Sequence, residues 1–194
     1  MKKRSDLVIS ITETAIFIAL AVVLELLSNL IGFRLPQRGS ISLAMLPILI
    51  ISIRRGVVYG FAAGLIFGMI NFFLDGFYWH LGSIVFDYLL AFPVLGLAGL
   101  FRKKIRKSSI YLIPAFLLAV FARFFFSFLS GVIFFASYAP EGYLSRYGKT
   151  LGAIIYSFVY NGSYLSLSLI ICLLVAFAIY PVIFYKIDLE KWQP

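Results

Sequence analysis

The sequence predicts an all-α, polytopic membrane protein with six transmembrane helices and both termini in the cytoplasm. Hydrophobic residues make up 62% of the 194 residues and charged residues only 13%, whereas a soluble domain has about 45–50% and about 25%. The mean hydropathy is +1.02, and so few polar side chains cannot cover a surface in water. We therefore interpret residues 1–194 as a single membrane domain without a soluble catalytic part.

Six apolar segments account for the predicted helices. The first follows Lys2, Lys3 and Arg4, but it is too long for the apolar core of a signal peptide. The second is short and contains Pro47, so we expect it to be tilted, irregular or partly enclosed by protein. The segments span about residues 8–31, 41–53, 57–74, 81–100, 110–136 and 151–185.

The distribution of basic residues sets the orientation. If all six segments cross the membrane, 12 of the 17 Lys and Arg residues lie on the side of the termini and four lie in the opposite loops. Positive residues concentrate on the cytoplasmic side of membrane proteins. The net charge of +9 then fits contact with anionic membrane lipid and requires no nucleic-acid partner.

Small residues at a spacing of four mark two helix faces. Gly56, Gly60, Gly64 and Gly68 form a smooth strip on the third segment, which we interpret as internal helix packing in preference to a ligand groove. Ala15 and Ala19 form a weaker strip on the first segment. From periodicity alone, another helix of the same chain is favoured over another subunit as the neighbour of these alanines.

Ionisable residues within apolar segments are the best indicators of function, because each is costly in lipid unless it is paired or hydrated. Asp87, followed by Tyr88, suits an organic cation, since the carboxylate opposes the charge and the ring can stack on it. The alternative is a structural ion pair between Asp87 and Arg123. We interpret Arg123 as a partner for a carboxylate or for carbonyl groups, and Glu13 and Glu25 as structural.

The last segment carries a stripe of tyrosines at a spacing of four, Tyr156, Tyr160 and Tyr164. Tyr160 and Tyr164 are expected to be interfacial or core residues. Asn161 needs partners for both ends of its amide. A heteroaromatic ligand with an amino group or a neighbouring helix could supply them, and the sequence does not choose between the two.

The sequence indicates no catalytic residues, no metal site and no cofactor. It has one histidine, His80, and one cysteine, Cys172, and no motif of a hydrolase. Gly148, Lys149 and Thr150 resemble the end of a phosphate-binding loop, but the spacing to the preceding glycine is wrong. An intramembrane enzyme is the second hypothesis and a passive channel or scaffold the third. Three polar loops, 33–40, 75–80 and 137–150, are expected to cover a site that faces outwards.

Four stretches of the sequence resemble the thiamine-specific S component of energy-coupling factor (ECF) transporters. They are ISIRRGVVYGFAAGLIFG, FDYLLAFPVLGLAGLF, FLSGVIFFASYAPEG and YSFVYNGSY, and the likeness extends in order from the first to the sixth segment. The resemblance implies six helices with cytoplasmic termini. It also implies a subunit of the cell membrane that binds thiamine, docks on a transmembrane coupling subunit with two ATPases, and reorients to deliver the vitamin.

The resemblance also implies which residues carry these roles. Ala15 and Ala19 match the alanine motif that contacts the coupling subunit. The substrate-binding positions correspond to Asp87, Tyr88, Ser127, Gly131, Phe135, Tyr156 and Asn161.

Two positions depart from the family pattern. Ser127 stands where the pattern has a histidine, and a serine is too short to stack on a thiazolium ring. Phe135 stands where a tryptophan can occur, which retains an aromatic face but removes an N–H donor. The alternative function is therefore an S component for a thiamine precursor or another vitamin.

Overall fold

The computed structural model of the protein describes residues 2–31, 35, 39–75, 78 and 80–183. The regular elements in these ranges are helices, as the sequence predicts. They are α1 (Lys2–Ile31), α2 (Met45–Arg55), α3 (Val57–Asp75), α4 (Leu81–Ile105), α5 (Leu112–Phe134), the short α6 (Glu141–Tyr147) and α7 (Lys149–Pro181). The first five helices and α7 correspond in order to the six predicted segments, and α6 lies in the loop predicted at 137–150.

Five of the helices, α1, α3, α4, α5 and α7, are long and apolar enough to cross a membrane. Their outward faces expose large apolar side chains, which suits lipid and not water. Examples are Leu30, Phe73, Phe121 and Leu174, which are between 67% and 83% exposed. The orientation relative to the two membrane faces remains a prediction from the charge distribution.

Helix α2 differs from the others because protein surrounds it. It has 11 residues and is about 16 Å long, roughly half of the hydrocarbon thickness of a bilayer. Its residues from Met45 to Arg54 are all buried, and Ile48, Leu49 and Ile51 are completely inaccessible. The expectation of a short second segment enclosed by protein is therefore confirmed.

The strip of glycines on α3 provides the contact with α4. A side chain at Gly64 would overlap the carbonyl group of Phe92, and one at Gly68 would overlap the carbonyl oxygen of Tyr88. Only glycine lets the two backbones approach this closely. The interpretation of the strip as internal packing is confirmed for Gly60, Gly64 and Gly68, whereas Gly56 lies between α2 and α3 with a φ of +103°. The contact positions the part of α4 that contains Tyr88.

Helix α4 is irregular along its length. Residues Val85–Leu90 form a wide π-helical turn, in which the N–H of Ala91 donates to the carbonyl of Phe86 at 3.1 Å. Residues Pro93–Phe101 then continue as a tighter 3₁₀ helix, and Pro93 itself lacks the N–H that a regular helix would use. Wide turns of this kind are common at functional sites, and this one contains Asp87 and Tyr88.

At the end of the bundle where α2 and α7 end, a small charged cluster links α1, α2 and the end of α7. Glu13 of α1 forms ion pairs with both Arg54 and Arg55 at the end of α2. Arg54 also donates to the carbonyl oxygen of Ile183, just beyond α7, at 3.2 Å. We call Glu13, Arg54 and Arg55 the Glu13 cluster. Its contacts agree with the structural role expected for Glu13.

Candidate functional site

A polar cavity lies between the helices and encloses about 1000 Å³ of space, including its mouth. Every long helix contributes to its wall, together with residues that precede α2 and follow α5. The lining residues are Glu25, Gly39, Ser40, Ser42, Ala44, Met45, Asn71, Asp87, Tyr88, Phe92, Arg123, Ser127, Gly131, Phe135, Tyr138, Tyr156, Ser157, Tyr160, Asn161, Tyr164 and Ser168.

All seven substrate-binding positions that the resemblance selects lie on this cavity. They come from three separate helices and from the turn that follows α5, so the fold brings together residues up to 74 positions apart. These residues are Asp87 and Tyr88 from α4, Ser127, Gly131 and Phe135 from α5 and its end, and Tyr156 and Asn161 from α7.

Asp87 is held by a serine and not by an arginine. The hydroxyl of Ser130, which is completely buried, donates to Oδ2 of Asp87 at 2.6 Å. No ion pair joins Asp87 to Arg123, although both side chains are described and line the cavity. The alternative of a structural Asp87–Arg123 pair is therefore wrong. The negative charge of Asp87 is left to act on the contents of the cavity.

Asn161 takes its hydrogen-bond partners from its own helix. Its side-chain nitrogen donates to the carbonyl oxygen of Ser157 at 3.0 Å and to the hydroxyl of Ser157 at 3.3 Å. Its side-chain oxygen accepts from the hydroxyl of Tyr164 at 3.0 Å. Neither of the two sources left open by the sequence, a ligand or a neighbouring helix, supplies these bonds, because residues of the same helix satisfy both ends of the amide. A second lone pair on the oxygen remains for a ligand.

Gly131 allows α5 and α7 to approach each other. A side chain at this position would overlap the hydroxyl of Ser157, which donates to the carbonyl oxygen of Phe128 at 2.9 Å. The absence of a Cβ atom at Gly131 therefore shapes the cavity by setting the distance between two of its walls.

The tyrosines of α7 form a ladder along the cavity. The rings of Tyr156 and Tyr160, and those of Tyr160 and Tyr164, have centroids 5.7 Å apart. The hydroxyl of Tyr160 accepts a hydrogen bond from the backbone N–H of Gly39 at 2.8 Å. As expected, Tyr164 is a core residue and Tyr160 packs against the core, but both also line the cavity, which the sequence interpretation did not include. Their spacing on one stripe with Tyr156 was the signal that linked them to it.

Glu25 is a lining residue that the sequence interpretation placed among structural residues. It is 7% exposed, and its Oε1 accepts from the hydroxyl of Ser40 at 2.8 Å. Leu35, Gly39 and Ser40 are the described residues of the loop predicted at 33–40. Beside the cavity, Gly39 is bonded to Tyr160 of α7 and Ser40 to Glu25 of α1. The remainder of that loop, and Trp79 in the second loop, lie outside the described residues.

Arg123 also lines the cavity, which its interpretation as a partner for a carboxylate or for carbonyl groups did not include. Its guanidinium lies over the ring of Phe92, 4.2 Å from the centroid. Its Nε atom is buried, and within the described part of the chain it has no hydrogen-bond partner.

Counted formally, the charged groups of the cavity leave one net negative charge. The lining contains two carboxylates, Glu25 and Asp87, and one guanidinium, Arg123. A site of this kind, with aromatic faces beside it, favours an organic cation. Within the described residues, no group of three His, Cys, Asp or Glu side chains could hold a metal ion.

Ala15 and Ala19 lie on the outer surface of α1, where both are exposed. The neighbouring exposed residues on this helix include Ile11, Ile16 and Leu20. The expectation from periodicity, that another helix of this chain covers the alanines, is therefore wrong for the described residues. The alanine strip is available to a second membrane protein.

Comparisons with known proteins agree over nearly the whole chain. The family model for Thiamine transporter protein (Thia_YuaJ) matches residues 11–187. The thiamine transporter ThiT of Bacillus subtilis (strain 168) is 34% identical over 89% of this chain and 90% of its own length. ThiT of Lacticaseibacillus paracasei is 30% identical over 84% of this chain and 81% of its own. A solved structure of ThiT from Listeria monocytogenes has a TM-score of 0.75 and 26% identity, and the match covers 96% of this chain and 98% of that one.

Proposed function

The chain belongs to the thiamine transporter protein family, and on this basis we propose that it binds thiamine as the S component of an ECF importer. It is a multi-pass membrane protein of a transporter family whose relatives named above are bacterial. Membership also confirms the prediction that the protein is not an enzyme. The proposal concerns its ligand, the residues that bind it and the proteins that it docks on.

The observation that carries the proposal is the net negative charge of the polar cavity. Thiamine has a fixed positive charge on its thiazolium ring, so no change of protonation can remove the charge in the site. Asp87 accepts one hydrogen bond, from Ser130, and its charge is balanced by no ion pair within the described residues. A cation in the cavity would supply that balance in a medium where charges interact strongly.

The other lining residues suit the two rings of the ligand. Tyr88 and Phe135 would present aromatic faces to them, and Tyr156 with the free lone pair of the Asn161 oxygen would hold the edge of the aminopyrimidine. Ser157 and Tyr164 fix the orientation of Asn161. The position of its oxygen would therefore be set before the ligand enters, which reduces the entropy lost on binding.

The serine at position 127 supports a second candidate ligand. It is 5% exposed and lines the cavity, at the position where the family pattern has a histidine. The shorter side chain leaves space beside the ligand and offers a hydroxyl in place of a ring. A thiamine precursor or analogue with a larger polar group could use that space.

The outer face of α1 supports docking on a coupling subunit. Ala15 and Ala19 are exposed and lie about one helical turn apart. Small residues let the helix of a partner approach closely and gain packing contacts in lipid. We propose that this strip meets the transmembrane coupling subunit, whose two ATPase subunits supply the energy.

Calorimetric titration of the detergent-purified protein with thiamine tests the proposal. We expect one-to-one binding with a submicromolar dissociation constant, and recovery of the ligand with unchanged mass. A folded, ligand-free sample that releases no heat with thiamine but binds a pyrimidine or thiazole precursor would move the assignment to the second candidate. Absence of binding to all of them would contradict the proposed function.

A further inference from the structure

Arg123 is the one charged group of the cavity wall that makes no hydrogen bond with the described residues. A guanidinium has five N–H donors and no acceptor, and the Nε of Arg123 is buried without a hydrogen bond. The ring of Phe92 covers one face of the group at 4.2 Å, which leaves its donor-bearing edge for other contacts. Leaving such donors unpaired costs free energy, so the group is suited to an acceptor that arrives with the ligand.

The position of Arg123 separates it from Asp87. Ser130, which donates to Asp87, lies seven residues after Arg123 on α5, or about 10 Å along the helix axis. Arg123 and Ser130 are two turns apart and face the same side. The cavity therefore has a carboxylate at one level and a guanidinium at another, and an elongated ligand can reach both.

We propose that Arg123 is a specificity-determining residue that donates a hydrogen bond to the terminal hydroxyl oxygen of the hydroxyethyl chain of thiamine. This inference rests on the proposed function and adds the direction in which the ligand lies. The cationic ring system faces Asp87, and the hydroxyethyl chain extends towards Arg123. A neutral oxygen fits the charge balance, because Glu25, Asp87 and Arg123 together already offset one positive ligand charge.

Two ligands and two proteins form the test. The ligands are thiamine and an analogue in which the hydroxyethyl chain is replaced by ethyl, and the proteins are the wild type and Arg123→Met. We expect the wild type to bind thiamine about 10-fold to 100-fold more tightly than the ethyl analogue, the range for a hydrogen bond to a charged donor. In Arg123→Met the two ligands should bind equally, within about twofold. If the variant still prefers thiamine as strongly as the wild type does, the inference is wrong.

Arg123→Lys serves as the second variant if Arg123→Met does not fold. A lysine keeps the charge but has a different donor geometry, so the preference for the hydroxyl should fall by several fold while the thermal midpoint stays close to that of the wild type. A merely structural role would lower the affinities for both ligands by the same factor, and that outcome would overturn the inference. The proposed function is judged separately by thiamine binding to the wild type.

Discussion

The polar cavity and the Glu13 cluster both hold carboxylates and arginines inside the bundle, but they use them in opposite ways. In the Glu13 cluster one carboxylate binds two arginines, and Arg54 also binds a backbone carbonyl. In the cavity, Asp87 and Arg123 are held apart, and each keeps capacity for a further contact. Charges that are paired within the protein stabilise it, whereas charges held apart in an enclosed space are suited to a ligand.

The largest expected effect concerns a third region, the alanine strip on the outer face of α1. In the double variant Ala15→Leu/Ala19→Leu, uptake of thiamine by cells that contain the coupling subunit and ATPases should fall to background. The added side chains block close approach of a partner to α1 but face away from the cavity. Thiamine affinity of the purified variant should remain within about twofold of the wild type.

Ala178→Leu provides the control for this variant. Ala178 is exposed on α7, so the change adds one such side chain to a different outer face, and uptake should continue. Loss of thiamine binding in the double variant would show instead that the bundle itself had been disturbed.

Glu13→Gln should affect stability and leave binding intact. The amide cannot compensate Arg54 and Arg55, whose side chains are only 8% and 12% exposed. Removing one partner from buried charges typically costs about 3 to 5 kcal/mol. We expect a clear fall in the thermal midpoint in detergent, with thiamine affinity changed less than threefold at a temperature where the variant is folded. An unchanged midpoint would contradict the role of the cluster.

Asp87→Asn should weaken thiamine binding and leave the stability of the protein unchanged. Replacing the carboxylate removes the charge that opposes the ligand cation, and the expected loss of binding free energy is about 2 to 5 kcal/mol. The thermal midpoint of the ligand-free protein should not fall, because no ion pair within the described residues depends on Asp87. Calorimetry gives the affinity and a melting curve gives the midpoint.

Glu141→Gln is the matched control for Asp87→Asn. Glu141 is exposed on α6 and does not line the cavity, so this carboxylate-to-amide change should leave the affinity unaltered. Equal affinities of Asp87→Asn and the wild type would rule out the proposed role of Asp87.

The smallest expected effect concerns the hydrogen bond that holds Gly39 beside the cavity. Tyr160→Phe keeps the ring in the tyrosine ladder but removes the hydroxyl that accepts from Gly39. A neutral hydrogen bond of this kind contributes about 0.5 to 1.5 kcal/mol, so thiamine affinity should fall by about 2-fold to 10-fold. Tyr147→Phe, on the exposed part of α6, should not change it. A larger loss would mean that the Tyr160 hydroxyl contacts the ligand directly.

The sequence was informative where a property depends on spacing along one helix. The glycines of α3 are an example, because a spacing of four must place them on one face, and that face does meet α4. The short, enclosed α2 was expected from its length and from Pro47. Residues whose role depends on the neighbouring helix were harder. Glu25 was interpreted as structural, and Tyr160 and Tyr164 as interfacial or core residues, although all three also line the cavity.

Composition, periodicity and charge bias alone thus determined that this chain is a bundle of membrane helices, and its motifs indicated the family. The tertiary structure decided the partners of each polar group. In the folded protein the amide of Asn161 is hydrogen-bonded to Ser157 and Tyr164. Asp87 and Arg123 form no ion pair, and Ala15 lies on the outer surface. The physical reason is that periodicity defines the face on which a side chain lies, whereas hydrogen bonds and ion pairs need a partner within a few ångströms. That partner depends on how each helix is rotated against its neighbours, which is a property of the packed bundle and not of any one segment.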